Sequence, residues 1–107
     1  MLIEHRTYTA YPGKLDKQIA DFEKYGLKVQ KRHFGDPVAW LVPETGDMNS
    51  YVHIWAFEDF ADLEKKHAAL VADPEWQAYL ARSAESGYLM KRESKLMTPA
   101  SFAPIKR

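Results

Sequence analysis

The stretch SYVHIWAF, at residues 50–57, alternates two kinds of apolar side chain with a period of two. Its aromatic residues and His53 fall on one face, and Val52, Ile54 and Ala56 fall on the other. Neither face is polar enough to meet water. The pattern therefore predicts a strand that is covered on both sides.

Three further segments have the composition and alternation of strands, at residues 2–9, 38–42 and 88–97. Between the first two, apolar residues recur every three or four positions from Lys14 to Val29, which is the spacing of one helical face. Gly26 lies inside this helix, and we expect a kink there. His33 is assigned to the turn that follows, in a surface position.

A second helical stretch begins after Asp59. This residue is a predicted N-cap, with Asp62 reaching back in a variant of the capping box. Asp73 and Pro74 restart the helix, because Asp caps a helix and Pro is tolerated at the first helical position. His67 falls on the apolar side of this stretch, so we expect it to be packed in the core.

The order of these elements is strand, helix, strand, strand, helix, strand. It predicts an α+β, ferredoxin-like βαββαβ fold, in which a four-stranded antiparallel sheet carries both helices on one face. We expect a single domain over residues 1–107, with a C-terminal tail at residues 98–107. The other sheet face would expose a large apolar patch, so we expect a homodimer in which two sheets pack face to face.

Composition removes several classes of function. Fifteen basic and fifteen acidic residues cancel, so no overall field favours nucleic acid or an anionic membrane. No apolar run approaches the roughly 20 residues that span a bilayer. The chain has no cysteine, which excludes a disulfide framework and a thiolate metal site and is compatible with a cytoplasmic location.

Motifs for cofactors are also missing from the sequence. No two histidines have the spacing that zinc or iron sites commonly use, and no glycine-rich nucleotide motif or serine hydrolase motif occurs. We therefore expect no metal and no cofactor.

Three segments together resemble the NIPSNAP family, within the dimeric α/β barrel superfamily: IEHRTYT followed by PGKL, VHIWAF, and ADPEWQAYL. The resemblance covers residues 3–97. It implies a ferredoxin-like protomer that pairs with a second copy, and it implies no settled activity. The superfamily includes monooxygenases, isomerases and haem-degrading enzymes whose pockets lie between sheet and helices. On that ground we favour the aromatic face of SYVHIWAF as the one under the helices.

Five residues match positions characteristic of the family and carry chemistry. Glu4, Arg6 and Tyr8 share one face of the first strand, and His53 and Trp55 share one face of a neighbouring strand. If the two faces coincide, the residues form a pocket. Arg6 would bind a carboxylate or enolate, and Glu4 would either hold Arg6 or orient His53. His53 and Tyr8 would handle a proton, and Trp55 would stack on a planar substrate.

A structural interpretation of the same residues stays open. In it, Glu4 and Arg6 form a salt bridge at a barrel or dimer contact, and His53 is a hydrogen-bonded core residue. Three functions follow. The first is a NIPSNAP-like protein that binds a small planar or carboxylated molecule. The second is a cofactor-independent monooxygenase or isomerase acting on an activated aromatic or lactone, with His53 as general base. The third is a structural or partner-binding dimer module.

Overall fold

Strands and helices follow one another in the predicted order. The structure, a computed structural model, describes residues 1–105. Within that range the elements are β1 (Leu2–Ala10), α1 (Leu15–Asp21), a π-helical turn (Phe22–Gly26), α2 (Leu27–Phe34), β2 (Ala39–Leu41), β3 (Ser50–Phe57), α3 (Phe60–Ala72), α4 (Pro74–Ser86) and β4 (Leu89–Met97). Residues 98–105 of the predicted tail form neither helix nor strand, and residues 106–107 lie outside the described range.

The strands form an antiparallel sheet in the order β2-β3-β1-β4. The two central strands, β1 and β3, are separated in sequence by a helical segment and a hairpin strand, which is the split arrangement of ferredoxin-like folds. The prediction of this fold is confirmed. It places the most apolar strand, β3, next to the strand that carries Glu4 and Arg6.

The aromatic face of β3 lies under the helices. Trp55 and Phe57 pack there in a core with residues from every helical segment except α1. The core residues contributed by the helices are Phe22, Val29, Phe34, Leu70, Trp76 and Tyr79. Val52 and Ile54 point to the other face, where they remain half-buried. The face that we favoured from the sequence is therefore the covered one.

The first helical segment runs without a break through α1, the π-helical turn and α2. The kink expected at Gly26 takes the form of this turn. A Cβ atom on Gly26 would lie 2.9 Å from a ring carbon of Phe22 and 3.3 Å from one of Tyr79. Glycine thus lets α4 approach closely. In α2, just beyond the turn, Val29 and Gln30 are both buried.

The predicted caps of the second helical stretch are confirmed. Asp59 accepts a hydrogen bond from the Asp62 amide at 2.8 Å, and Asp62 accepts one from the amide of Glu58 at 3.0 Å. The return bond thus goes to Glu58 and not to the cap residue itself. Asp73 caps α4, with Pro74 in its first turn, so the stretch is two helices.

Two histidine predictions are wrong. His67 is exposed, because α3 buries mainly Leu70 on its sheet side and a cavity opens beside His67. His33 lies in the last turn of α2 and not in the following turn. Its Nε2 is 2.8 Å from a carboxylate oxygen of Asp73, so it ties α2 to the junction of α3 and α4. Strand β2 is shorter than the predicted residues 38–42.

Candidate ligand-binding cleft

The register between β1 and β3 brings the five candidate residues onto one face. Arg6 lies directly opposite His53, and Glu4 lies opposite Trp55. Opposed residues in an antiparallel pair direct their side chains to the same side of the sheet. Tyr8 follows two positions after Arg6 on that side. The face of β1 that carries Glu4, Arg6 and Tyr8 and the face of β3 that carries His53 and Trp55 are therefore the same face of the sheet, and it lies beneath the helices.

Glu4 and Arg6 form a buried ion pair. Arg6 Nη2 donates to Glu4 Oε1 at 3.0 Å, and Ser94 Oγ donates to Glu4 Oε2 at 2.8 Å. Arg6 Nη1 also donates to the Tyr8 hydroxyl at 3.4 Å. Burial alone disfavours the charged guanidinium, but Tyr8 and Glu4 outweigh it and hold the pKa of Arg6 above its ordinary value. The Arg6 guanidinium stays charged, and its pairing with Glu4 already engages much of that charge.

His53 is held as a neutral imidazole. Trp55 Nε1–H donates to His53 Nδ1 at 2.5 Å, which leaves the ring proton on Nε2. Burial, followed by the charge of Arg6 and by His5, lowers the pKa of His53 to about 3. With one nitrogen accepting and the other protonated, His53 has no free lone pair with which to act as a general base. It can instead donate a hydrogen bond through Nε2.

Trp55 lies deeper than a stacking role requires. It is fully buried in the core and meets the Phe34 ring edge-on at 5.3 Å. It does not line either of the cavities described below. The stacking on a planar ligand that we predicted for Trp55 does not fit this position, because the core already covers both of its faces. Its role in the site is to fix the tautomer of His53 through the indole N–H.

An inner cavity of about 270 Å³ opens between the sheet and α4. Its wall is largely aromatic and carries a small number of polar groups. The polar side chains among its lining residues include Tyr8, Gln30, Tyr51, His53, Tyr79 and Arg92. An apolar chamber with few, convergent polar groups is the usual form of a small-molecule site.

An outer cavity of about 320 Å³ adjoins the inner one. The two cavities share Tyr8, Trp76, Leu80 and Arg92, so we treat them as one feature and call it the cleft. The outer part is lined by the Glu4–Arg6 pair and by His67. It lies over β4, an edge strand whose residues from Met90 to Met97 are all exposed.

Arg92 is the cation of the cleft whose charge is not balanced. It lies on β4 directly opposite Tyr8 and lines both cavities. It forms no ion pair with any residue in the range 1–105, whereas the neighbouring Glu93 pairs with Lys91 at 3.6 Å. An exposed guanidinium at the wall of an apolar cleft is suited to a carboxylate, which it can bind through two parallel hydrogen bonds.

A buried glutamine fixes two tyrosines of the inner cavity. Gln18 Nε2 donates to the hydroxyls of Tyr51 and Tyr79, each at 3.2 Å. Burial raises the pKa of Tyr79 to about 12 and raises that of Tyr51 further. Both phenols therefore keep their protons. Because each hydroxyl accepts from Gln18, its own proton is left to donate elsewhere.

Sequence reasoning missed the two glutamines and Arg92. Gln18 and Gln30 fall within the apolar stripe of the first helix. Gln18 lies three positions after Leu15 and four before Phe22, and Gln30 directly follows Val29. A polar residue in such a stripe is a signal that could have been used. Arg92 gave no signal, because it stands between Lys91 and Glu93 in a run of charged residues that is typical of a solvated strand. Among residues 1–105, no cluster of three His, Cys, Asp or Glu side chains is placed to hold a metal ion.

Comparisons with known proteins agree with the geometry of the chain. The family model described as NIPSNAP matches residues 3–104. The chain belongs to the NIPSNAP family. A NipSnap homolog from Dictyostelium discoideum is 31% identical over 99 residues, which cover 92% of this chain and 43% of that protein. The chain spans less than half the length of the curated NIPSNAP relatives that it matches.

Solved NIPSNAP structures have the same fold. Protein Atu4242 from Agrobacterium tumefaciens superposes with a TM-score of 0.91 at 35% identity, covering 99% of this chain and all of that one. An antibiotic biosynthesis monooxygenase superposes with a TM-score of 0.63 at 17% identity, over 94% of this chain and 99% of that one. At that identity the likeness concerns the fold alone. Membership of the NIPSNAP family therefore establishes the fold. The function has to be argued from the residues of the cleft.

Proposed function

We propose that this NIPSNAP protein binds a small planar carboxylate in the cleft. The observation that carries the proposal is Arg92, which lines both cavities and has no acidic partner among residues 1–105. Trp76 and Tyr79 supply aromatic surface next to it, with ring centroids 5.1 Å apart. A guanidinium and an aromatic wall together suit an anion carried on a flat ring.

The size of the cleft points to a small ligand. Its two parts measure about 270 and 320 Å³, at the lower end of the range for sites that hold drug-sized molecules. Arg6 would contribute less than Arg92, since Glu4 already engages it. Glu4, Arg6 and Tyr8 then form the polar wall of the site, and His53 donates a hydrogen bond through Nε2.

Binding of 4-methylbenzoate to the intact protein tests this proposal. We expect NMR titration shifts at the cleft, and a loss of affinity of roughly 10-fold or more in Arg92→Gln, as for a charge-assisted hydrogen bond. Lys91→Gln is the matched control, because Lys91 is the preceding residue on β4 and points to the other face. Equal affinities for Arg92→Gln and Lys91→Gln, or no binding by the parent protein, would overturn the proposal.

Catalysis in this cleft would require a different assignment from the one predicted. The neutral His53 can stabilise a developing oxyanion by donating from Nε2, and it is poorly suited to remove a proton. An isomerase or monooxygenase reaction would therefore depend on another base. Activity that survives unchanged in His53→Gln would remove His53 from any such mechanism.

We also propose a homodimer formed through the uncovered sheet face. Val52 and Ile54 lie at the centre of that face, and Leu41 and Met97 are 52% and 41% exposed. A second sheet would cover them, and a stable interface needs about 800 Å² from each partner. Ile54→Lys should yield monomers by light scattering. Phe60→Lys, at an exposed residue of α3, should leave the dimer intact.

A cytoplasmic location is likewise a proposal, and it rests on the absence of cysteine from the sequence. Within residues 1–105, no helix combines the length and the apolar character needed to cross a membrane. Fractionation of cells that express the intact protein would test the location.

A further inference from the structure

Gln30 is a buried amide without a partner. It is 1% exposed, and neither its Nε2 nor its Oε1 has a hydrogen-bond partner among residues 1–105. It lies on α2 and lines the inner cavity together with His53. Gln18 offers a direct contrast, because it is also 1% exposed but donates to two tyrosine hydroxyls.

A buried amide without a hydrogen-bond partner destabilises the folded state. Buried polar groups are almost always hydrogen-bonded, since an unmade bond leaves the full desolvation penalty. Methionine has nearly the same shape and would pack in this position without that penalty. Packing therefore gives no reason for an amide at residue 30, while the cavity beside it gives one.

The polar groups at the inner end of the cleft are neutral and mixed in character. Gln30 supplies two donors and an acceptor, and His53 supplies a donor at Nε2. Tyr51 and Tyr79 keep their hydroxyl protons because burial raises their pKa values, and each hydroxyl accepts a hydrogen bond from Gln18. Arg92, whose positive charge is unbalanced, also lines the inner cavity. This cavity therefore offers both a cationic site and a neutral donor–acceptor site.

We propose that Gln30 and His53 recognise a neutral planar group that carries both an acceptor and a donor, such as a carboxamide, on the ligand whose carboxylate meets Arg92. This inference rests on the proposed function and narrows its ligand class. The ligand accepts from His53 Nε2–H and from the Gln30 amide N–H through its carbonyl oxygen. It donates to Gln30 Oε1 through its own N–H. Gln30 is then a specificity-determining residue.

Two aromatic carboxylates distinguish this inference from the proposed function on which it rests. 4-Carbamoylbenzoate carries the carboxylate, the acceptor and the donor, and 4-acetylbenzoate has nearly the same shape but lacks the donor. NMR titration should show that the parent protein binds the carbamoyl compound about fivefold more tightly or better, as for one added hydrogen bond. In Gln30→Met this preference should disappear, with both compounds still bound.

Thermal unfolding without ligand supplies the second readout. Gln30→Met should melt at the same temperature as the parent or higher, whereas Gln18→Met should melt several degrees lower because it strands two tyrosine hydroxyls. A Gln30→Met protein that fails to fold, or melts as low as Gln18→Met, would show that Gln30 has a structural role and overturn the inference.

The binding outcomes are distinct for the two proposals. If 4-methylbenzoate binds but the parent shows no preference between the carbamoyl and acetyl compounds, the inference is overturned and the proposed function stands. The same holds if the preference persists in Gln30→Met. If none of the three carboxylates binds, the proposed function fails and the inference fails with it.

Discussion

The stability of this protein should depend on pH through His53. In the folded chain, burial with Arg6 and His5 lowers the pKa of His53 from its usual 6.5 to about 3. The unfolded chain has no such environment, so between these values it binds a proton that the folded chain does not. Stability is therefore fully present above about pH 6.5 and is lost as the pH falls.

The size of this effect follows from the two pKa values. Each unit between them corresponds to about 1.4 kcal/mol, so the full difference is on the order of 5 kcal/mol. Between pH 7 and pH 5, only the part that lies between pH 6.5 and pH 5 contributes, which is about 2 kcal/mol. Among the other groups that contact the His53 ring, Trp40 and Trp55 are not titratable, and burial raises the pKa of Tyr51 far above this window.

Guanidinium unfolding of the parent protein and of His53→Gln, at pH 7, 6 and 5, measures the effect. His5, His33 and His67 are present in both proteins, so their contributions cancel in the difference. We expect the parent to lose about 2 kcal/mol more than the variant on going from pH 7 to pH 5. Parallel pH profiles would refute the reasoning, because they would mean that His53 titrates equally in both states.

Two further substitutions probe the support of the cleft, with the free energy of unfolding as the measurement. Glu4→Gln should lower it by about 3 kcal/mol, since it leaves Arg6 buried without its countercharge, and replacing Arg6 by Met as well should recover part of the loss. An unchanged stability in the single variant would contradict the buried pair. Gly26→Ala should lower it by about 1–3 kcal/mol through the contact with Phe22, despite the better helix propensity of Ala. Phe22→Leu should reduce that penalty, and a stabilised Gly26→Ala would contradict the close contact between residue 26 and the Phe22 ring.

The fold could be predicted because each element carries its own signal. The period of two in β3 and the spacing of three and four in the first helix are local features, and Asp59 and Asp73 mark helix starts directly. The order of the elements then admits few topologies. The register of β1 against β3 has no such local signal. A slip of one residue would have moved Arg6 away from His53. The convergence of the candidate residues therefore required the structure.

The site was harder to predict because burial decides chemical roles. Trp55 looks like a stacking residue in the sequence, but Phe34 from α2 covers it, and its indole N–H sets the tautomer of His53. His67 lies in the apolar stripe of α3 in the sequence, but α3 buries only part of that stripe and leaves His67 exposed. Arg92 matters only because a helix leaves the cleft open above β4. These facts depend on how far each helix extends over the sheet, which periodicity alone does not specify.

A crystal structure of the intact protein grown with 4-methylbenzoate tests the central claim most directly. We expect the ligand in the cleft, with its carboxylate about 3 Å from the guanidinium of Arg92 and its ring against Trp76. A ligand found only outside the cleft, or a cleft closed by its own side chains with Arg92 turned away, would contradict it.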